Sequence, residues 1–224
     1  MKIEKIRYSA HHYIRIGSPF LKVLAPLRSG SNFLEKSMYK NYFVRIAKPY
    51  MFCWKHQYPS TSVDCKKIII MREPVSWCIS FYNWEIIHGR ADRQMGILNF
   101  VKANLNQPDI IKYIGKLTPY EYWNTFLEDA LAVKDEISIC TYDGLIENYA
   151  KTISKLGVDN RLFKLRPTIK KFNIKADWWV KPNKAPKLTE SEKQQFKESL
   201  KKENPGFDLS LWEDYKQASN NRLS

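Results

Sequence analysis

The sequence predicts an α/β fold in which a central parallel sheet is flanked by helices. Apolar runs at residues 20–25, 67–71 and 137–142 have the length and composition of buried strands. The second run, Lys-Ile-Ile-Ile-Met, is continuous and β-branched, which is typical of a parallel strand covered on both faces. Residues with helical periodicity follow these runs, and alternation of strands with helices favours a parallel sheet.

The first strand leads into a turn that is suited to binding an anion. Lys22 is the only polar residue of the strand, Pro26 ends it, and apolar residues at helical spacing predict a helix from about Ser31. Residues 28–32, Arg-Ser-Gly-Ser-Asn, supply a cation, small hydroxyls and a glycine. A turn at a helix N-terminus directs unpaired N–H groups and the positive end of the helix dipole at one point. The alternative is an ordinary strand-to-helix turn that contains a glycine.

The remaining elements follow in order along the chain. A second short strand is predicted at 49–54, and it delivers His56 into a loop. Pro74 suits the first position of a helix, and Thr118 with Glu121 resembles a capping box. Helices are predicted at 74–88, at 100–114 with an interruption at Pro108, and at 118–133, 145–156, 189–202 and 209–218, around an irregular basic segment at 161–186.

The composition indicates one folded, basic domain. Hydrophobic residues at 44% and aromatic residues at 14% fit a globular rather than a disordered chain. We expect a single domain over residues 1–224, with its core at 20–157 and a basic tail with C-terminal helices at 158–224. Lysine and arginine number 37 against 23 acidic residues. The net charge of +14 indicates an anionic partner such as a nucleic acid, an acidic lipid or glycan, or a phosphorylated cofactor.

Cysteine usage predicts a protein of a reducing compartment. The four cysteines, Cys53, Cys65, Cys78 and Cys140, form no CxxC pair and have no histidine nearby at metal-ligand spacing, so most are expected to be buried thiols. No segment approaches the ~20 apolar residues of a membrane span, and the N-terminus lacks an apolar signal region. We therefore expect a cytoplasmic protein with no membrane span and no metal. Its oligomeric state stays open.

The predicted strands end at three points that lead into polar residues, Pro26, Arg72 and Tyr142. In an open α/β sheet, these ends border one crevice where ligands bind. The GxxxxGK[ST] pattern of nucleoside triphosphatases is absent, because Gly30 is followed by Ser-Asn rather than Lys-Ser. This departure disfavours a nucleotide kinase or an ATPase.

Three motifs resemble those of the sulfotransferases that use 3′-phosphoadenosine 5′-phosphosulfate. Residues 26–33 resemble the phosphosulfate-binding loop, and their Arg-Ser-Gly-Ser is closer to the carbohydrate-type members than to the cytosolic ones. Residues 68–82 resemble the 3′-phosphate motif, which is a hydrophobic strand followed by Arg72, by Ser80 eight residues on, and by aromatic residues. Residues 141–145 are similar to the family's Tyr-Glu-Asp-Leu strand end.

The resemblance covers residues 20–150 and implies a P-loop NTPase-like sulfotransferase architecture. It is much weaker after Gly157, and the family's closing Arg-Lys-Gly motif is not present. Lysines between 170 and 184 stand in its place, and we expect this segment to fold over the bound donor. The pair Trp178-Trp179 either stacks against a sugar or packs in the fold.

The resemblance also implies roles for the motif residues. Arg28 faces the bridging oxygen that gains charge as the S–O bond breaks, and positioned cations at developing charge are the usual main catalytic contribution. Arg72 is a bidentate partner for the 3′ phosphate, and Ser80 donates to the same group. Phe33 either stacks on adenine or packs in the core. The expected donor-binding residues are Arg28, Ser29, Gly30, Ser31, Asn32, Phe33, Arg72, Ser80 and Tyr142.

His56 is the expected general base for the acceptor hydroxyl, because imidazole titrates near working pH. Its surroundings resemble the family's Lys-Thr-His-Leu-Pro segment imperfectly, since Lys55 is adjacent to the histidine and Pro59 comes one residue late. A lone histidine is more often structural, and Glu73 or Glu85 are alternative bases.

The sequence therefore predicts an enzyme that transfers a sulfuryl group from 3′-phosphoadenosine 5′-phosphosulfate to a hydroxyl acceptor, a carbohydrate or a small molecule. It works without a metal and has no nucleic acid as partner. One rival is a basic module that binds nucleic acid or acidic glycan without catalysis; its affinity would collapse with salt and would not depend on Arg72. The other rival is a nucleotide kinase.

Overall fold

A parallel sheet forms the centre of the described part of the chain. The computed structural model describes residues 20–41, 45–48, 50–158, 189–203 and 206–221. Within these ranges four strands pair in the order β2–β1–β3–β4, and every pairing is parallel. The strands are β1 (Phe20–Leu24), β2 (Arg45–Ile46), β3 (Lys66–Met71) and β4 (Ser138–Thr141).

Helices cover both faces of this sheet. In the described residues they are α1 (Ser31–Asn41), α2 (Pro74–Ile87), α3 (Ile97–Phe100), α4 (Pro108–Tyr113), α5 (Pro119–Ala132), α6 (Tyr142–Glu147), α7 (Tyr149–Lys155), α8 (Glu190–Glu203) and α9 (Leu209–Asn221), with a 3₁₀ turn at Arg93–Met95. The predicted α/β class with a parallel sheet flanked by helices is confirmed.

Two apolar cores lie on opposite faces of the sheet. Ile69 and Met71 pack with residues of α2, α5 and α9, whereas Ile68 and Ile70 pack with residues of α1, α6 and α7. Successive side chains of a strand point to opposite faces, so the central strand β3 is buried on both sides, as the continuous apolar run predicted.

Local signals at the helix starts are also confirmed. The Glu73 carboxylate accepts hydrogen bonds from the N–H groups of Val75 and Ser76, and Pro74 occupies the first turn of α2. At the start of α5, Thr118 and Glu121 form the reciprocal capping box.

The strand predicted at 49–54 is wrong. The second strand is instead β2, a two-residue edge strand that pairs with β1; Pro49 lies outside the described residues, and 50–58 form turns and bends. The carbonyls of Lys48, Met51 and Cys53 accept hydrogen bonds from the buried Lys22 ammonium, at 2.7–2.9 Å. The segment is therefore tied to a side chain of β1 rather than to a neighbouring strand.

Two helix predictions also need correction. The helix predicted at 145–156 is two helices, α6 and α7, because Asn148 leaves helical geometry and its side chain accepts from the Lys151 N–H to cap α7. Pro108 begins α4 rather than interrupting a helix. The basic N-terminus at 1–19, the lysines at 170–184 and the pair Trp178-Trp179 lie outside the described residues.

The cysteine prediction holds in the described chain. Cys53, Cys78 and Cys140 are buried, Cys65 is half-buried, and all four are free thiols. Burial raises the pKa of the Cys140 thiol to about 12. No helix in the described ranges is long and apolar enough to span a membrane.

Candidate functional site

The site lies where the direction of the chain reverses across the sheet. From β1 the chain continues to β2 on one side, and it then crosses back to β3 on the other side of β1. Leu24 and Ile69 are register partners near the carboxyl ends of β1 and β3. Ligands of open α/β sheets bind at such a switch point, and here the strands lead into the loop at 25–30 and into Arg72.

The loop after β1 forms a tight turn into α1. Arg28 has φ 69° and Gly30 has φ 95°, and the Ser29 N–H donates to the Pro26 carbonyl at 3.2 Å. The first helical hydrogen bonds are those from the N–H groups of Phe33 and Leu34 to the Gly30 carbonyl, both 3.0 Å. The N–H groups of the preceding first-turn residues have no intrahelical partner, and the positive end of the dipole of α1 is at this point.

Buried aromatic side chains fix the loop from behind. The Trp77 indole N–H donates to the Leu27 carbonyl at 2.6 Å. The Tyr122 hydroxyl accepts from the Leu27 N–H at 3.3 Å and donates to the His56 carbonyl at 3.1 Å. Trp77 and Tyr122 are fully buried, so α2 and α5 hold this loop and the histidine segment in one arrangement.

Arg28 lies over an aromatic ring of α2. Its guanidinium carbon is 4.7 Å from the centroid of the Trp84 ring, a cation–π distance. Although Arg28 stays accessible to solvent, burial of the guanidinium by the surrounding atoms lowers its pKa, and the nearby Arg72 cation lowers it further. Ser80 lies one helical turn before Trp84, and residues four apart share a helix face; it is half-buried.

Arg72 and Ser29 present polar atoms that nothing in the described chain satisfies. Among the described residues, the buried side-chain atoms without a hydrogen-bond partner are Ser29 Oγ and Arg72 Nε. Buried polar groups are nearly always paired in proteins, so an unpaired one needs an explanation. A guanidinium N–H and a hydroxyl at a helix N-terminus are groups that bind phosphate or sulfate oxygens.

Tyr142 connects the ends of three strands. The guanidinium carbon of Arg72 lies over the Tyr142 ring, 4.8 Å from its centroid. The Phe33 ring contacts Tyr142 edge-on, with 6.4 Å between the two ring centroids. A Cβ built on Gly30 would lie 2.7 Å from Tyr142 Cε2, so only glycine lets the loop pass beneath this ring. Phe33 is half-buried against Tyr142, and its predicted stacking on adenine stays a prediction.

Hydrogen bonds of His56 and of its neighbour Lys55 hold the imidazole at the end of β1. Its Nδ1 lies 2.7 Å from the Ala25 carbonyl oxygen, and the Ala25 N–H donates to the Lys55 carbonyl at 3.0 Å. Because a carbonyl only accepts, Nδ1 carries the proton, and Nε2 is the acceptor of the neutral ring. Burial, with the Lys55 ammonium second, lowers the pKa of His56 to about 3.

Lys55 supplies a connection to α1 that sequence reasoning missed. Its ammonium donates to Asn32 Oδ1 and forms an ion pair with Glu35 at 3.2 Å. Burial raises the pKa of the Glu35 carboxyl, and Lys55 opposes that rise. The Asn32 side chain, predicted to bind the donor, is thus engaged with Lys55. The i, i+3 spacing of Asn32 and Glu35 on one helix face was the available signal.

The alternative bases are engaged elsewhere. Both carboxylate oxygens of Glu73 cap α2. Glu85 is 1% exposed and makes a bidentate pair with Arg90 at 2.8 and 2.9 Å. Of the three predicted bases, His56 is therefore the one whose acceptor atom is not used in these contacts.

Comparison of the chain with protein-family models, with curated proteins and with solved structures found no match. In the described residues, no group of three or more His, Cys, Asp or Glu side chains has an arrangement that could hold a metal ion.

Proposed function

We propose that this chain is a sulfotransferase of P-loop-like architecture. It transfers a sulfuryl group from 3′-phosphoadenosine 5′-phosphosulfate, its co-substrate, to a hydroxyl of an acceptor such as a carbohydrate. The observation that supports this most is the pair of unsatisfied buried atoms, Ser29 Oγ and Arg72 Nε, at adjacent strand ends. They flank a glycine turn at the start of α1, and a donor with phosphates at both ends needs two such anion sites.

The Ser29–Asn32 turn suits the 5′ phosphosulfate. The N–H groups of Gly30 and of the first residues of α1 and the Ser29 hydroxyl supply donors. Arg28 directly precedes this turn and would face the oxygen that bridges sulfur and phosphorus. As the S–O bond breaks, its electron pair goes to that oxygen, and a fixed guanidinium lowers the energy of the resulting charge.

The 3′ phosphate is assigned to Arg72 and Ser80. Tyr142 orients the Arg72 guanidinium by stacking at 4.8 Å, which leaves the N–H edges of the guanidinium for a bidentate contact. The Arg72 cation lies close enough to Arg28 to lower the pKa of the Arg28 guanidinium, second to burial. An anionic ligand between them would relieve that repulsion, because opposite charge favours the charged form.

His56 is assigned as the general base. The acceptor hydroxyl oxygen forms the new bond to sulfur, and its proton passes to Nε2 of the ring, since Nδ1–H is bound to the Ala25 carbonyl. The pKa of about 3 keeps the ring neutral across the working range of pH, but it makes the ring a much weaker base than the imidazole titrating near working pH that the sequence prediction assumed. A bound polyanionic donor would raise this pKa, because nearby negative charge stabilises the imidazolium.

Competition for radiolabelled donor tests the proposal against its rivals. Adenosine 3′,5′-bisphosphate should displace the donor far more effectively than ATP with magnesium. A nucleotide kinase predicts the reverse order. A basic nucleic-acid-binding module predicts that both compete weakly and that raising the salt concentration abolishes binding. His56→Asn should keep donor binding and lose transfer in a single-turnover assay.

A further inference from the structure

A run of aromatic rings extends from His56 to the protein surface. The aromatic face is formed by Tyr50, Trp54 and Tyr113. The Trp54 ring contacts the His56 ring edge-on at 5.2 Å and stacks on Tyr113 at 5.3 Å, and Tyr113 lies 6.2 Å from Tyr50. Tyr50 is 58% exposed, whereas Trp54 is 4% exposed. The rings thus become more exposed with distance from the proposed base.

The aromatic face is rigid although its outer ring, Tyr50, is exposed. Lys22 binds the carbonyls of Lys48, Met51 and Cys53, which flank Tyr50 in the sequence. The Tyr50 hydroxyl donates to Asp109 Oδ2 of α4 at 3.0 Å. These contacts fix the backbone and one outer ring before any ligand binds, which lowers the entropic cost of binding.

We propose that the aromatic face is the acceptor subsite and that it binds a pyranose ring of an oligosaccharide. The inference rests on the proposed function, since it takes His56 as the base. A sugar has an apolar C–H face that stacks on Tyr50 and a rim of hydroxyls that reaches the Asp109 carboxylate and the Lys112 ammonium, which lies 4.9 Å from the Tyr113 ring.

The open shape of the face favours a sugar over a phenolic acceptor. Small aromatic ligands bind in pockets that bury most of their surface, whereas Tyr50 presents more than half of its surface to solvent. A carbohydrate satisfies its hydroxyls in water while one face of its ring is stacked. Because the rings run from Tyr50 through Tyr113 and Trp54 to His56, a neighbouring sugar unit would extend along them toward the proposed base.

The test is direct binding of sugars to the protein in the absence of donor, detected by saturation-transfer NMR. The probes are tri-N-acetylchitotriose, cellotriose and N-acetyllactosamine, with 2-naphthol as the phenolic comparison. At least one sugar should bind to the wild type and show saturation transfer to the C–H protons of its ring. Tyr50→Ala should weaken that binding about tenfold, whereas Tyr50→Phe, which keeps the ring but loses the hydrogen bond to Asp109, should weaken it much less.

Ile111→Ala is the matched control. Ile111 is also on α4 and is 40% exposed, but it lies on a different side of the helix from Tyr113 and Asp109, which are one turn apart. The control should not change sugar binding. Circular dichroism and thermal unfolding of each variant exclude loss of fold as the cause of weaker binding.

The outcomes separate this inference from the proposed function. Failure of all three sugars to bind, or equal binding by wild type and Tyr50→Ala, overturns the acceptor subsite, even if adenosine 3′,5′-bisphosphate binds well. Tight binding of 2-naphthol at Tyr50 also overturns it in favour of a phenolic acceptor. Sugar binding that depends on Tyr50, without any nucleotide binding, would show a sugar-binding face but would overturn both its role as an acceptor subsite and the sulfotransferase proposal.

Discussion

Arg72 stacks on Tyr142, with its guanidinium carbon 4.8 Å from the centroid of the ring. The same ring covers Gly30. One side chain after β4 therefore fixes the distance between the glycine turn after β1 and the arginine after β3. The two anion-binding parts of the site depend on each other through this ring.

Gly30→Ala should be much more destabilising than an ordinary glycine replacement. A Cβ at Gly30 would collide with the Tyr142 ring, and φ is 95°. At Gly89 φ is 67°, with nothing within 4 Å of an added Cβ. We expect Gly89→Ala to cost about 1 kcal/mol from strain alone, and Gly30→Ala to cost ~1–3 kcal/mol more from the clash.

A double-mutant cycle measured by urea unfolding checks that explanation. Adding Tyr142→Ala to Gly30→Ala removes the ring, so the two changes together should cost less than the sum of the single changes. Strict additivity would mean that the Tyr142 ring does not limit the turn.

Replacing Arg28 should separate stability from turnover. Its φ of 69° strains any residue with a Cβ. Arg28→Gly should therefore be about 1 kcal/mol more stable than Arg28→Ala. Both variants lack the cation and should lose ~3–4 kcal/mol of transition-state stabilisation. Denaturant unfolding and single-turnover transfer measure the two quantities. Arg28→Lys is the control that keeps both the charge and the backbone strain. If Arg28→Gly lost transfer while Arg28→Ala kept it, the catalytic assignment of the Arg28 cation would be contradicted.

The core was predictable from sequence, because its signals are local. The continuous run before Arg72, the proline at Pro74 and the capping box at Thr118 each act within a few residues, and each of these elements formed as expected. Three of the four strands, β1, β3 and β4, lie where the apolar runs predicted them, whereas the two-residue edge strand β2 was missed.

The segment that positions His56 was not predictable, because its partner is distant in sequence. The carbonyls of this segment bind Lys22, which is 26 to 31 residues away. Lys22 looked like a lone polar interruption in a strand, and nothing near it in sequence indicates its acceptors. The aromatic support of Arg28 by Trp84 and of His56 by Tyr122 is equally long-range.

Lys22→Met should destabilise the protein by about 3 kcal/mol or more, because three carbonyls lose a charged donor. Lys22 is fully buried, so water cannot easily replace it. Its register neighbour Lys67 is the control, since it binds the Pro59 and Thr61 carbonyls at 2.8 and 3.4 Å and is only half-buried. Urea unfolding should give a clearly smaller loss for Lys67→Met. Equal losses would argue against a special role for Lys22.

His56 should give the stability of the protein an acid-dependent component. The pKa of His56 is 6.5 in the unfolded chain and about 3 in the folded protein. Between pH 3 and pH 6.5 the unfolded state therefore binds more protons than the folded state. Stability is complete above the unfolded pKa and falls as pH drops toward the folded pKa, by about 1.4 kcal/mol per pH unit.

His56→Asn is the matched variant for this measurement, because an amide N–H can still donate to the Ala25 carbonyl. The unfolding free energy of wild type and of His56→Asn is measured from pH 7 to pH 4. Below the unfolded pKa of 6.5, the wild type should lose stability relative to His56→Asn by about 1.4 kcal/mol per pH unit. Parallel curves would show that the ring titrates normally in the folded protein.

Binding of adenosine 3′,5′-bisphosphate tests the central claim most directly. Calorimetric titration should give far tighter binding than for adenosine 5′-monophosphate, because only the first has the 3′ phosphate assigned to Arg72. Arg72→Ala should cost ~2–5 kcal/mol of binding free energy and erase most of the preference, with a smaller effect for Ser80→Ala. Arg45→Ala removes the same charge beside Phe20, at the amino end of the sheet, and should leave the preference intact. Equal affinities of the wild type for the two nucleotides would contradict the sulfotransferase assignment.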